Sequence, residues 1–243
     1  MYPQMVQKIY KAGMRRYNDP DKGVYKIKPY PEEYLERPKP APSVSQSLRK
    51  ALSTEEILAF AEADLSKGRD GSWEWVQSVC MLSFCLGGMN VADMYDLRPE
   101  DYDGERIKYY RSKTKGKRLD GAYMEVKVQP EARPYLDILM AGAADGKLLN
   151  ISAHYAVRSE VHRYLAKVLG TISRATGLPR MTVYSFRYSF ASIEVNECNI
   201  HLDDVAFAMN HATAHRVTEG YVKKDFSRVD GVIGSVLAMV FGF

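Results

Sequence analysis

The stretch "HATAHRVTEGYVKKDF", His211 to Phe226, carries two histidines, an arginine and a tyrosine, Tyr221. A phenol has an ordinary pKa of about 10, so a tyrosine that acts as a nucleophile at neutral pH needs neighbours that help it lose its proton. If the target is a phosphodiester, the non-bridging oxygens need positive or donating partners and the departing hydroxyl needs a proton. Arginine suits the oxygens because its planar fork grips phosphate at two points, and lysine or histidine suits the proton. The chain offers such a set in order: Lys113 in "RSKTKGK", Arg187 in "YSFRYSF", His211 after "AMN", and Tyr221 ten positions later. A lone tyrosine among 17 is by default a packing residue, and only this company makes Tyr221 a candidate nucleophile.

Each member also has a plainer use. Arg187 could pair with Glu194 on the same predicted helix or lay its stem along an apolar surface. Its aromatic flanks place it in a partly buried setting, where an unpaired cation is costly and an anion such as phosphate is expected. Lys113 stands in a basic run with Arg111, Lys115, Lys117 and Arg118, most of which would only attract a polyanion, and Lys115 is its alternative. His211 could satisfy a helix end, with His215 as a nearby rival. Asn90 and Asp93 in "NVADMYDL" have the spacing of an N-cap and its reciprocal partner, which explains both without chemistry.

The elements that must position these groups are mostly helical. Met5, Ile9, Tyr10, Met14 and Tyr17 have helical spacing with basic residues between them. A Pro-rich stretch over 18–46 then reads as an extended linker. Ser53 and Glu56 form a capping-box signature opening a new domain, 47–243. An apolar helix is predicted from about Trp73 to Leu86, interrupted by Gly87 and Gly88. Alternation over 105–128 predicts a β-hairpin around a basic turn. Helical patterns resume from Arg133 through "SEVHRYLAKVLGTISRAT", "SFRYSFASIEV" and "LDDVAFAMNH", and the tail "VDGVIGSVLAMVFGF" is an apolar helix. The fold class expected is mainly α with one small antiparallel sheet.

Bulk composition sets wide bounds. The 243 residues suffice for one sizeable core, with 46% hydrophobic and 26% charged residues, and the net charge of +4 permits a nucleic-acid partner without demanding one. Three cysteines in apolar settings suggest neither a disulfide framework nor zinc ligation, which fits a reducing interior. No signal peptide, membrane span, P-loop or carboxylate–histidine metal cluster is evident, so a soluble intracellular protein without metal or cofactor is expected.

Taken together, "GMNVADMYDL", "RSKTKGK", "YSFRYSFAS", "MNH" and "VTEGY" resemble, in order and spacing, the motifs of the tyrosine recombinase (phage integrase) family. The resemblance spans roughly Ala51 to the C-terminus, with residues 1–46 similar to the end of that family's preceding DNA-binding domain plus a linker. It implies the catalytic-domain fold of that family and a bacterial, nucleoid-associated enzyme. Such an enzyme would act on double-stranded DNA as a homo-oligomer, tetrameric in synapsis. By the same resemblance Tyr221 is the nucleophile, Lys113 the general acid, Arg187 a phosphate ligand, and His211 either a donor to phosphate or a proton acceptor from Tyr221. The chain departs from the pattern at three points. Asn90 stands where the first arginine is expected, with Asp93 at the acidic position; Tyr184 and Tyr188 stand where histidines are expected; and the His-to-Tyr spacing is one longer. A mobile-element branch of the family is similar in the first two. Either Arg111 or Arg118 fills the place of the missing cation, or the protein is slow, dependent on partners, or a DNA-binding protein of this fold that no longer cuts. A DNA-relaxing enzyme and a helical interaction module without DNA affinity are the remaining readings. The apolar tail has too much hydrophobic surface to stay free and is expected to dock in cis or on a neighbouring protomer, the latter supplying the oligomer contact.

Overall fold

The computed structural model describes residues 3–28, 51–118, 120–211 and 224–242; Tyr221 and His215 lie outside them. The chain divides into two compact units, Met1–Val44 and Ser45–Phe243. The first contains helix α1, Pro3–Tyr17, which leaves Met5, Val6 and Ile9 exposed. Of the stretch 18–46 expected as a linker, 29–46 lie outside the described residues, and 18–28 begin with a closed turn. Asn18 closes a turn by donating from Nδ2 to the Ile27 carbonyl (2.7 Å) and accepting the Ile27 amide on Oδ1 (2.9 Å), around a 3-10 turn at Pro20–Lys22.

The second unit is mainly helical with one two-stranded antiparallel sheet. It opens with α2, Thr54–Ala61, whose predicted capping box is present: Ser53 Oγ accepts the Glu56 amide at 3.2 Å, and Glu56 Oε2 accepts the Ser53 amide at 2.8 Å. Helix α3, Ser72–Cys85, is apolar on nearly every side, and from Trp75 to Cys85 all but Gln77 are buried. A helix with that pattern must sit inside a domain, surrounded by others. The helices packed around it are α2, α4 (Val91–Asp96), α5 (Arg133–Met140), α7 (Arg158–Thr176) and α8 (Val183–Asn196). The short α6, Ile151–His154, follows Asn150, whose buried amide accepts from Trp75 Nε1 at 2.9 Å and so ties this corner to α3.

Strands β1, Arg106–Tyr110, and β2, Tyr123–Lys127, pair in register from Arg106 opposite Lys127 to Tyr110 opposite Tyr123. Alternation puts Ile107, Tyr109, Met124 and Val126 on the core face. Helix α9, Leu202–Ala208, and the tail helix α10, Ser227–Phe241, complete the unit. The tail packs in cis on α9, α2 and α8, burying Val229, Val232, Ile233, Val236, Leu237 and Val240. Asp230 bolts it to the sheet, accepting from Arg106 Nη1 at 2.7 Å and from the Lys127 amide at 3.0 Å. Its apolar face is therefore covered by its own chain, which is the cis docking among the two arrangements expected. Among the described residues no helix is long and apolar enough to cross a membrane.

Candidate functional site

Helix α8 carries Arg187 and is held tightly. Phe186 meets Phe60 of α2 with ring centroids 4.9 Å apart, and Phe190 meets Phe84 of α3 edge-on at 5.7 Å. Burying each phenylalanine contributes roughly 1.5–3 kcal/mol, which fixes the helix face next to them. Arg187 is 7% exposed. Its Nη1 donates to the Gly88 carbonyl, and its Nη2 donates to the Met209 carbonyl and meets His211 Nε2, both at 2.9 Å. The glycine pair that ends α3 makes this approach feasible. Gly88 adopts φ +67, and a Cβ there would lie 2.9 Å from Arg187 Cγ.

A guanidinium only donates, so His211 Nε2 must be the acceptor and the neutral ring carries its proton on Nδ1. Burial, then the charges of Arg187, Arg111 and Lys113, push the His211 pKa down to about 4. Burial and the neighbouring Arg111 likewise lower the Arg187 pKa from its ordinary value. Asn210 precedes His211 in left-handed backbone, φ +52, which asparagine tolerates better than most residues. Its carbonyl accepts from Arg111 Nη1 at 2.9 Å.

These groups share a cleft of about 580 Å³, a size that suits a ligand site. Arg111, Lys113, Arg187 and His211 line it together with Asn90 and Asp93. Tyr184 and Tyr188, with rings 6.2 Å apart, line it as well; Tyr184 is 50% exposed. Among the described residues no carboxylate forms an ion pair with Arg111, Lys113 or Arg187. In particular Arg187 does not pair with Glu194. That carboxyl is fully buried, neither oxygen has a partner among the described residues, and burial raises its pKa to about 9.

Several sequence expectations change here. Asn90 does occupy the N-cap position of α4, yet its side chain makes no capping bond. Asp93 does not answer it either. Asp93 Oδ1 accepts the amide of Ser112 at 2.9 Å, which anchors the residue before Lys113, and Ser112 Oγ reaches Asp96 at 3.2 Å. Of the basic run, Lys115 lies over the Tyr110 ring at 4.9 Å in the turn Lys115–Lys117, and the Lys117 side chain is outside the described residues. Arg118 is turned inward rather than outward: Nε and Nη2 grip Asp120 at 2.9 and 2.6 Å, and Nη1 meets Asn210 Oδ1 at 2.9 Å. It is therefore neither a free phosphate contact nor part of the cleft lining.

Two residues that motif reasoning missed, Arg158 and His162 on α7, also line the cleft. Arg158 pairs with Asp96 at 2.6 Å, and burial together with Arg158 lowers the His162 pKa. Their four-residue spacing puts them on one helix face, but nothing local marks that face as a site wall. Tyr109 is buried within electrostatic reach of Asp93, Arg187 and Arg111, and burial, reinforced by Asp93, pushes its phenol well above the ordinary value, so it is a poor nucleophile. No cluster of three or more potential metal ligands occurs among the described residues.

No protein-family model matches the chain, and no curated protein matches it. Among solved structures, it is similar to a lambda integrase dimer bound to a COC′ core site, at 15% identity and a TM-score of 0.48, over 72% of this chain and 61% of that one. It is also similar to a lambda integrase tetramer bound to a Holliday junction, at 15% identity and a TM-score of 0.47, over 68% of this chain and 48% of that one. The chain thus spans between about half and three-fifths of the length of these structures, a likeness too distant to bear on chemistry.

Proposed function

We propose that the protein is a DNA strand transferase of the tyrosine recombinase type, cutting and rejoining double-stranded DNA through a 3′-phosphotyrosyl link. The observation that carries this reading is Arg187. It is a buried cation held by two carbonyls and an imidazole, with no carboxylate partner among the described residues, on a cleft shared with Arg111, Lys113 and His211. A buried charge without a counter-ion is costly, and a phosphodiester supplies the missing anion.

In this reading the Tyr221 oxygen attacks phosphorus, the bond to the 5′ oxygen breaks, and Lys113 gives that oxygen a proton while the phenol proton passes to solvent. Arg187 and Arg111 hold the non-bridging oxygens. His211 donates to them from Nδ1, because its Nε2 is engaged by Arg187. That makes it a donor rather than the base for Tyr221. The Tyr184 hydroxyl is a further donor where the resemblance expects histidine. Attack by the 5′-hydroxyl of a partner strand reverses the step, and the covalent link conserves the bond energy, so no nucleotide cofactor is required. Exchange between two duplexes takes four strand cuts, which fits a homo-oligomer assembled on DNA. Of the two arginines considered for the missing cation, Arg111 is favoured: it lines the cleft and its Nε is buried without an acceptor among the described residues.

The test is a nicked suicide duplex from which the freed 5′ fragment diffuses away. The wild-type chain accumulates a denaturant-resistant protein–DNA adduct and Tyr221→Phe forms none; an adduct with the phenylalanine variant refutes the assignment. The second reading, a binding protein of the same fold that no longer cuts, is favoured by Asn90, a neutral group where a cation is expected. It predicts a salt-sensitive gel shift and no adduct from the wild-type chain.

A further inference from the structure

The segment 212–223, which carries Tyr221, departs from His211 and returns at Lys224, and both ends meet the same hairpin tip. At the first end, Asn210 accepts from Arg118 on Oδ1 (2.9 Å) and from Arg111 on its carbonyl (2.9 Å), while its Nδ2 donates to the Ala122 carbonyl (2.9 Å). At the second end, Lys224 Nζ donates to Asp120 Oδ2. Asp120 joins the two, because it also takes both forks of Arg118 and accepts the Ala122 amide at 2.9 Å.

We propose that Asp120 is a positioning residue: through Lys224 and through Arg118–Asn210 it fastens both ends of the Tyr221 segment to the hairpin that bears Lys113. The hairpin that bears Lys113 is then also the anchor for the described residues on either side of that segment. The inference rests on reading Tyr221 as the nucleophile. An isolated surface ion pair contributes little, but this one is a network with a two-point arginine grip. Burial would raise the Asp120 carboxyl, yet the hydrogen bonds from Arg118 and Lys224 hold it well below the ordinary carboxylate range. Lys224 is confined further by the Phe207 ring of α9, 5.8 Å away, and Phe207 stacks on Phe226 just before α10. Displacing a reacting group by about 1 Å can reduce a rate by ~10²-fold, so a clamp of this kind bears on turnover more than on DNA affinity.

The experiment is a double-mutant cycle with Asp120→Asn, Lys224→Met and the pair, read in two ways. Adduct formation at saturating DNA should slow about 10-fold in each single variant and no further in the double, with DNA affinity changed less than about threefold. Independently of catalysis, the amides of Asn210 and His211, bonded to Phe207 and Ala206 carbonyls at 2.9 and 2.8 Å, should exchange with solvent about 10-fold faster in each single variant. Rate effects that multiply in the double variant, or exchange that is unchanged in both singles, overturn the clamp. If the wild-type chain forms no adduct, the recombinase reading falls, and the exchange measurement still decides whether the clamp exists.

Discussion

Alanine at position 88 separates the geometry of Arg187 from ordinary glycine effects. Gly88 has φ +67, a conformation that disfavours any Cβ by about 1–2 kcal/mol. A Cβ there would also lie 2.9 Å from Arg187 Cγ, 3.2 Å from its Cα and 3.3 Å from its Cβ. The side chain could rotate away from the first contact, but the second is backbone of α8, pinned by the Phe186 and Phe190 pairs. Overpacking of that kind adds about 1–3 kcal/mol, so Gly88→Ala should lose about 2–5 kcal/mol in total. Gly142 is the control. It has φ +71 and nothing within 4 Å of the place a Cβ would take, so Gly142→Ala should lose only the backbone part, about 1–2 kcal/mol. Urea unfolding followed by circular dichroism gives both numbers by linear extrapolation. Equal losses would show that the close approach of Gly88 to Arg187 is not stabilising the site. In the proposed reaction Gly88→Ala should also slow adduct formation more than Gly142→Ala does, because it moves the guanidinium off its carbonyl.

Two further predictions concern titration. Glu194 is neutral in the fold, with its pKa raised from 4.5 to about 9, so the folded state binds the extra proton and stability is complete below about 4.5 and falls as pH rises toward 9. Between pH 5 and 7.5 the loss is about 3 kcal/mol, and Glu194→Gln should flatten that slope in urea unfolding; an unchanged slope refutes the buried neutral carboxyl. His211 runs the other way: its pKa falls from 6.5 to about 4, so the stability it contributes is complete above 6.5 and is lost as pH drops toward 4. Its imidazole resonances should titrate near pH 4 and move upward in Arg187→Gln, and a midpoint near 6.5 in the wild-type chain would contradict both the burial of the ring and the charge cluster.

The parts of the fold governed by local pattern were legible in the sequence. The Ser53–Glu56 capping box, the all-round apolar helix before Gly87–Gly88 and the alternating hairpin follow from short-range rules, and each is present. The grouping of Lys113, Arg187 and His211 was legible only as an ordered set of residue types, because the side-chain meetings are between positions far apart in the chain. What could not be read were choices between equivalent partners. Asp93 has cap-like spacing, but the Ser112 amide competes for its carboxylate and wins. Arg118 looks the same as Arg111 in a basic run, yet Asp120 two residues on turns it inward. Arg158 and His162 reach the cleft only because α7 packs on α3 and α4, and no residue near them in sequence signals that.

The neutral residue at position 90 can be argued from the same charges. The cleft already holds Arg111, Lys113 and Arg187 without a paired carboxylate, and Arg111 already lowers the Arg187 pKa. A further arginine beside them would add like-charge repulsion in a half-buried site, whereas Asn90 adds a donor and no charge. Asn90 and Arg111 are linked through the fold, since Asp93, one helical turn after Asn90, holds the Ser112 amide next to Arg111. If Arg111 supplies the cation, then Asn90→Arg should lower stability by about 1–2 kcal/mol without accelerating adduct formation, and Arg111→Ala should slow it about 10²–10³-fold. Combining the two should recover a large part of that rate, because a cation is restored to the same cleft and the repulsion is gone. Urea unfolding and the suicide-duplex assay read both quantities. An Asn90→Arg variant that is faster than the wild-type chain, with Arg111→Ala unaffected, would mean that Arg111 does not fill the vacancy and that the site runs one charge short.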